Sequence, residues 1–115
     1  MDNIRIIADK ISLAELKQTA EKRFGDMVKA VVDIEKNIMA IGGEMHFDEE
    51  QLLLEQGSKQ ENLWGINLYP DLSGEQFIEF DSMINIRPRR NNRSRGVENE
   101  ETRKKIIEIV QKLVS

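Results

Sequence analysis

Five arginines fall within the nine residues Arg87-Pro88-Arg89-Arg90-Asn91-Asn92-Arg93-Ser94-Arg95. A guanidinium presents a planar fork of donors that matches phosphate or carboxylate oxygens in pairs. Grouped with two asparagines and a serine, and with Pro88 restricting the backbone, these forks could cradle an anion. The two segments upstream, residues 63–69 and 77–87, alternate in the manner of β-strands. Their polar face would carry Asn67, Tyr69, Glu79, Asp81, Asn85 and Arg87. Asn and Asp are poor strand formers, so placing Asn67, Asp81 and Asn85 in mid-strand has a cost that Thr or Lys would avoid. The plainer alternative is a solvated sheet face with cross-strand charge pairs. In that case the loop simply pairs with Glu98, Glu100, Glu101 and the acidic strand residues.

A second group surrounds the only histidine, in Glu44-Met45-His46-Phe47-Asp48-Glu49-Glu50. If a strand beginning near Ile38 runs on, Glu44 and His46 share a face, and carboxylate with imidazole could hold a divalent cation. Asp81 would complete a metal-assisted hydrolytic site. Against this, Asp48 suits a helix cap, Glu49 and Glu50 suit a first helical turn, and a lone histidine beside acids is most often a surface residue. No nucleophile elbow, phosphate loop or dinucleotide fingerprint occurs.

These groups need elements to hold them. Residues 4–7 read as a short first strand. Ser12 and Glu15 form a capping box with Ile11 and Leu16 as its staple, and Leu13, Leu16, Ala20 and Phe24 recur at helical spacing up to Gly25. The spacing predicts a helix over 13–24. Residues 27–41 alternate with period two around Glu35-Lys36-Asn37 and predict a hairpin, which Gly42-Gly43 breaks. Asp48 and Gln51 predict a short helix through Leu52-Leu53-Leu54 to Gly57. Pro70-Asp71-Leu72-Ser73-Gly74 joins the strands 63–69 and 77–87 as a second hairpin. Asn99 caps a final helix with an apolar stripe of Ile106, Ile107, Ile109, Val110, Leu113 and Val114. The expected fold is α+β, in the order β-α-β-β-(short α)-β-β-α, with a mainly antiparallel sheet and the helices on one face.

At 115 residues the chain is one domain's worth, residues 1–115, and can bury a core without a metal or disulfide staple. Cysteine is absent, which excludes disulfides, thiolate zinc sites and cysteine nucleophiles. No apolar run approaches the ~20 residues of a bilayer span. Met1-Asp2-Asn3 opens no signal peptide, so no membrane role and a cytoplasmic location are expected. A net charge of −4 and few aromatics for stacking disfavour nucleic acid as a partner, without excluding it.

Four segments resemble a known family. They are Phe24-Gly25-Asp26-Met27-Val28-Lys29-Ala30-Val31-Val32-Asp33, Ile41-Gly42-Gly43-Glu44-Met45-His46, Leu63-Trp64-Gly65-Ile66-Asn67-Leu68-Tyr69-Pro70, and Ile84-Asn85-Ile86-Arg87-Pro88 with Asn92-Arg93-Ser94. Together they resemble a small prokaryotic family catalogued as a domain of unknown function, over nearly the whole chain. The resemblance implies a stand-alone cytoplasmic protein of about this length and carries no activity, ligand or catalytic residue. It also implies fewer basic residues between Pro88 and Asn92 in relatives, which favours Arg87 and Arg93 over Arg89 and Arg90.

The reading that follows is a small binding module for an anionic small molecule. Arg87 and Arg93 would hold the anion, Asn67 and Asn85 would orient the ligand, and Trp64 or Tyr69 would supply a flat wall beside Glu79 and Asp81. The alternatives are a hydrolase using Glu44, His46 and Asp81, and a homodimer paired through a sheet edge or through Leu113 and Val114. Nothing in the sequence names a cofactor.

Overall fold

The central hairpin sets the sheet. In the computed structural model, which describes residues 3–115, β2 (Val28–Asp33) and β3 (Ile38–Ile41) pair antiparallel, with Ala30 opposite Ile41. Their turn closes on buried Asp33, whose Oδ1 accepts from the backbone N–H groups of Glu35 and Lys36. Ser58 Oγ donates to the other carboxylate oxygen at 2.6 Å. Asn37 completes the turn at φ 58°, a left-handed conformation asparagine tolerates. β1 (Arg5–Ile7) joins outside β3, β4 (Leu63–Leu68) outside β2, and β5 (Ile78–Glu79) outside β4. The order is β1-β3-β2-β4-β5, antiparallel throughout, so the α+β fold and its element order are those expected. Met1 and Asp2, part of the opening read for a signal peptide, lie outside the described residues. Among the described residues no helix is long and apolar enough to cross a membrane.

Local chemistry places the helices. α1 (Leu13–Glu21) begins at Ser12, whose Oγ accepts from Glu15 N–H at 3.1 Å. It closes where the Gly25 N–H reaches Ala20 C=O at 2.7 Å with Gly25 at φ 91°, as the glycine position predicts. α3 (Glu100–Leu113) begins at Asn99, which caps the Thr102 N–H at 2.9 Å. Leu16 and Ala20 of α1 and Ile106, Val110 and Leu113 of α3 pack on Val28, Ala30, Val32, Ile66 and Leu68. Leu113 is thus part of this core, and Val114 is partly buried against it.

Three expectations need correction. The helices do not all lie on one face: α2 (His46–Glu55) sits across the other, with Leu53 joining Val31, Ala40 and Leu63 in a second core. The unbroken apolar run Ala30-Val31-Val32 already signals a strand covered on both sides. Second, α2 starts at His46 and not after an Asp48 cap, and the preceding strand ends at Ile41, so Glu44 and His46 never share a strand face.

Third, residues 77–87 are not one strand. Only Ile78 and Glu79 pair with β4, and a 3₁₀ turn, Met83–Asn85, follows. The chain leaves the sheet edge after Glu79 and crosses over Gly65. A Cβ on Gly65 would lie 2.6 Å from both Cβ and Oγ of Ser82, so only glycine admits this crossing. Ser82 is buried, and its Oγ caps the turn by accepting from Ile84 N–H.

Candidate functional site

The register of β4 and β5 pairs Asn67 with Glu79 and Leu68 with Ile78, so the next ladder pair on that edge would be Gly65 with Asp81. The Asn85 side chain takes that place instead. Its Oδ1 accepts from Gly65 N–H at 2.8 Å, and its Nδ2 donates to the C=O groups of Gly65 and Arg95 at 2.9 Å each. A carboxamide carries one acceptor and a donor pair, so it can stand in for a peptide group. Asn92 repeats the device one layer out. Its Nδ2 donates to Asn85 C=O at 2.7 Å and Gly96 C=O at 2.8 Å, and its Oδ1 accepts from Glu98 N–H at 2.9 Å. The expected solvated face is therefore closed at Asn67, Asn85 and Asn92, all of them buried.

This knot holds the arginine turn. Pro88–Arg90 forms a 3₁₀ turn that Asn91 ends at φ 59°. Arg87 Nη2 donates to Glu50 Oε2 at 3.1 Å, with the two side chains 12% and 5% exposed. The Arg87 guanidinium lies 5.3 Å from the Trp64 ring centre, and that of Arg90 lies 5.6 Å from the same ring. Arg90 also donates to Glu61 C=O. Arg87 Nη1 and Trp64 Nε1 are buried without an acceptor among the described residues. Burial pulls the Arg87 pKa down from its usual value. Glu50 opposes that pull, and the neighbouring charge of Arg90 adds to it. Gln60, Glu61, Arg87, Pro88, Arg89 and Arg90 line a groove of about 480 Å³ beside this stack.

The other two arginines go elsewhere. Arg95 Nε donates to Asp81 Oδ1 in an exposed pair. Arg93 is exposed, and its backbone N–H donates with that of Ser94 to Glu98 Oε2 at 2.9 and 2.8 Å. The Ser94 side chain, then these two amides, hold the Glu98 carboxyl below its usual range. The nest of backbone donors that suits an anion is thus filled by the chain's own carboxylate.

A separate polar cluster lies where α2 meets the end of β4. Glu79 Oε1 accepts from both Asn67 Nδ2 and the Tyr69 hydroxyl at 2.9 Å. Partial burial first, and Glu79 second, raise the Tyr69 pKa. His46 Nε2 is 2.8 Å from Ile66 C=O, which can only accept, so Nε2 carries the proton and Nδ1 is left as the ring's acceptor. Burial and then Lys29 lower the His46 pKa, while the hydrogen bond to Ile66 and the charge of Asp81 oppose the shift. His46 and Asp81 are therefore within electrostatic reach. Glu44 stays in the exposed loop before α2, and among the described residues no three His, Asp or Glu side chains are placed to hold a metal ion.

Of the residues singled out from sequence, Trp64 and Arg87 come together, and Asn67, Tyr69 and Glu79 form their own cluster. Asp81 joins Arg95, while Asn85 and Arg93 stand apart from both groups. Glu50 and Gln60 were not foreseen, and Arg90, which the sequence reading ranks below Arg87 and Arg93, is the one that shares the Trp64 ring with Arg87. One signal existed: His46, Glu49, Glu50 and Leu53 fall at i, i+3, i+4 and i+7, so the buried stripe of α2 is mostly polar.

The fold and site define a small α+β protein whose antiparallel sheet is covered on both faces and carries an arginine turn beside β4. The chain belongs to the family described as protein of unknown function (DUF5674), whose profile matches residues 5–113. No curated protein and no solved structure matches it.

Proposed function

We propose that this protein is a small binding module whose Arg87–Arg90 turn accepts an anionic, phosphate-bearing small molecule. The observation that supports it best is the stacking of two guanidinium groups on one indole, of which Arg87 is paired to the Glu50 carboxylate and Arg90 meets only the backbone C=O of Glu61 among the described residues. Like charges held this close repel, and an anion at the groove offsets that repulsion. Trp64 fixes both forks in advance, each contact being worth roughly 0.5–2 kcal/mol. Preorganised donors bind without the ordering cost that a flexible loop would carry. The groove's volume fits a small ligand and not a nucleic-acid strand, in keeping with the net charge of −4. Glu98 already fills the backbone nest at Arg93 and Ser94, so the site contracts to Trp64, Arg87, Arg89, Arg90 and Gln60.

Trp64 is the only tryptophan, so its fluorescence reads the site directly. Titration with inorganic phosphate, pyrophosphate and a nucleoside monophosphate is expected to give a saturable change with at least one of them. Added salt should weaken it, Arg90→Ala should abolish it and Arg93→Ala should leave it intact. No saturable change with any of the three, or a change indifferent to Arg90→Ala, overturns the assignment.

A further inference from the structure

α3 shows two stripes. Ile106, Ile109, Val110 and Leu113 are buried. Beside them, Arg103, Ile107, Val110, Gln111 and Val114 form one wall of a groove of about 900 Å³, on the face of the sheet that α1 and α3 cover. Leu72, Phe77 and Phe80 form the opposite wall, and Leu13 lies at the C-terminal end of α3. From Arg103 to Val114 the helix advances about 16 Å, at 1.5 Å per residue. The groove therefore runs along about three turns of α3, is mostly apolar, and lies in the size range of small-molecule sites. Leu13 and Leu72 remain 37% and 44% exposed.

Arg103, at the N-terminal end of this wall, has an uncommitted fork. Its Nη1 donates to the C=O groups of Val97 and Glu98 at 2.6 and 3.1 Å. Its Nε and Nη2 have no acceptor among the described residues, and no carboxylate there lies within ion-pair range of it. Glu75 also lines the groove but makes no pair with it. The Nε–Nη2 edge of a guanidinium presents two parallel N–H groups, the spacing that the two oxygens of one carboxylate accept.

We infer that this groove binds an aliphatic carboxylate, its chain laid along α3 between Ile107 and Val114 and its head group on the free edge of Arg103. The apolar walls supply affinity roughly in proportion to the area they cover, and Arg103 sets the direction of the ligand. The site is independent of the arginine turn, which lies at the start of β4 and uses different residues.

The test is calorimetric titration of the full chain with decanoate and decyltrimethylammonium below their micellar concentrations and decanol below its solubility limit. Decanoate is expected to bind saturably and at least tenfold tighter than decanol, with the cation weakest. Arg103→Gln should bring decanoate down to the level of decanol while decanol is unchanged, provided circular dichroism shows a folded variant. Leu72→Asp, at an exposed position, should weaken decanoate and decanol together. Equal affinity for decanoate and decanol overturns the role of Arg103, and no binding of either overturns the groove. Decanoate binding lost in Arg90→Ala would place the carboxylate at the arginine turn and overturn the inference, whatever the outcome for phosphate.

Discussion

The two faces of the sheet are built by different means. Under α1 and α3 the contacts are apolar, and each buried aliphatic side chain contributes about 1.5–3 kcal/mol whatever the details of its orientation. Under α2 the buried residues are His46, Glu49, Glu50 and Leu53, so one leucine is joined by three titratable groups. Those groups depend on partners outside the helix: Ile66 C=O for His46, Gly43 N–H for Glu49 and Arg87 for Glu50. Among the described residues the buried side-chain atoms without partners are Glu49 Oε1, Trp64 Nε1, Asn67 Oδ1 and Arg87 Nη1, which belong to α2, to β4 and to the start of the arginine turn. One face is held by apolar contact that tolerates change. The other depends on specific polar partners, and three of the four unpartnered atoms, those of Glu49, Asn67 and Arg87, lie outside the apolar core that α1 and α3 cover.

Asn85→Ala tests that contrast most severely. It strips partners from Gly65 N–H and from two carbonyls at once, and an expected loss of about 3–5 kcal/mol would leave little of a domain's stability. An unfolding free energy from urea titration within about 1 kcal/mol of the parent would show that Asn85 does not hold this face.

Arg87→Ala should cost about 3 kcal/mol, because Glu50 would be left buried and unpaired. Replacing both together, as Arg87→Met with Glu50→Leu, should restore most of that loss while removing the Trp64 fluorescence response to phosphate. Recovery of stability with the response intact would separate the ion pair from the anion site.

Glu49→Gln should act in the opposite direction, gaining on the order of 1 kcal/mol at neutral pH. Burial raises the Glu49 carboxyl well above its usual 4.5, with the Gly43 N–H opposing. A raised folded pKa means that its contribution is complete below about 4.5 and is lost as pH climbs through the folded value. The variant should lack that decline. His46 runs the other way. Its lowered pKa means a contribution complete above about 6.5 and lost as pH falls through the folded value, so His46→Gln should flatten the acid limb. Thermal midpoints across this pH range would read both slopes.

Arg93→Ala should change stability by less than about 0.5 kcal/mol, since the contact Glu98 makes there is to backbone. A larger loss would show that the exposed guanidinium supports the nest.

Much of the scaffold was legible from sequence because its signals are local. Ser12 with Glu15, Asn99 with its acidic first turn and the turn at Asn37 each act within a few residues. The alternation of Ile78, Phe80, Ser82, Ile84 and Ile86 was regular, yet it misled. Its strand was ended by a glycine at position 65 and by an asparagine side chain standing in for a backbone pair. Neither feature has a local signature. The candidate site was half legible in the same sense: Trp64 and Arg87 stood out by type, but Glu50 looked like first-turn decoration and Arg90 like one more surface charge.

By itself the sequence determined where α1 and α3 begin and where the β2–β3 hairpin turns, because capping and left-handed turns depend on neighbours in the chain. It also determined that the charge near residue 90 is positive on a chain that is negative overall. Only the tertiary structure decided which of those arginines are paired, stacked or filled by a carboxylate of the chain itself. Burial and distance set the strength of a charge interaction, and both arise when segments far apart in sequence, such as Glu50 and Arg87, are brought to 3.1 Å.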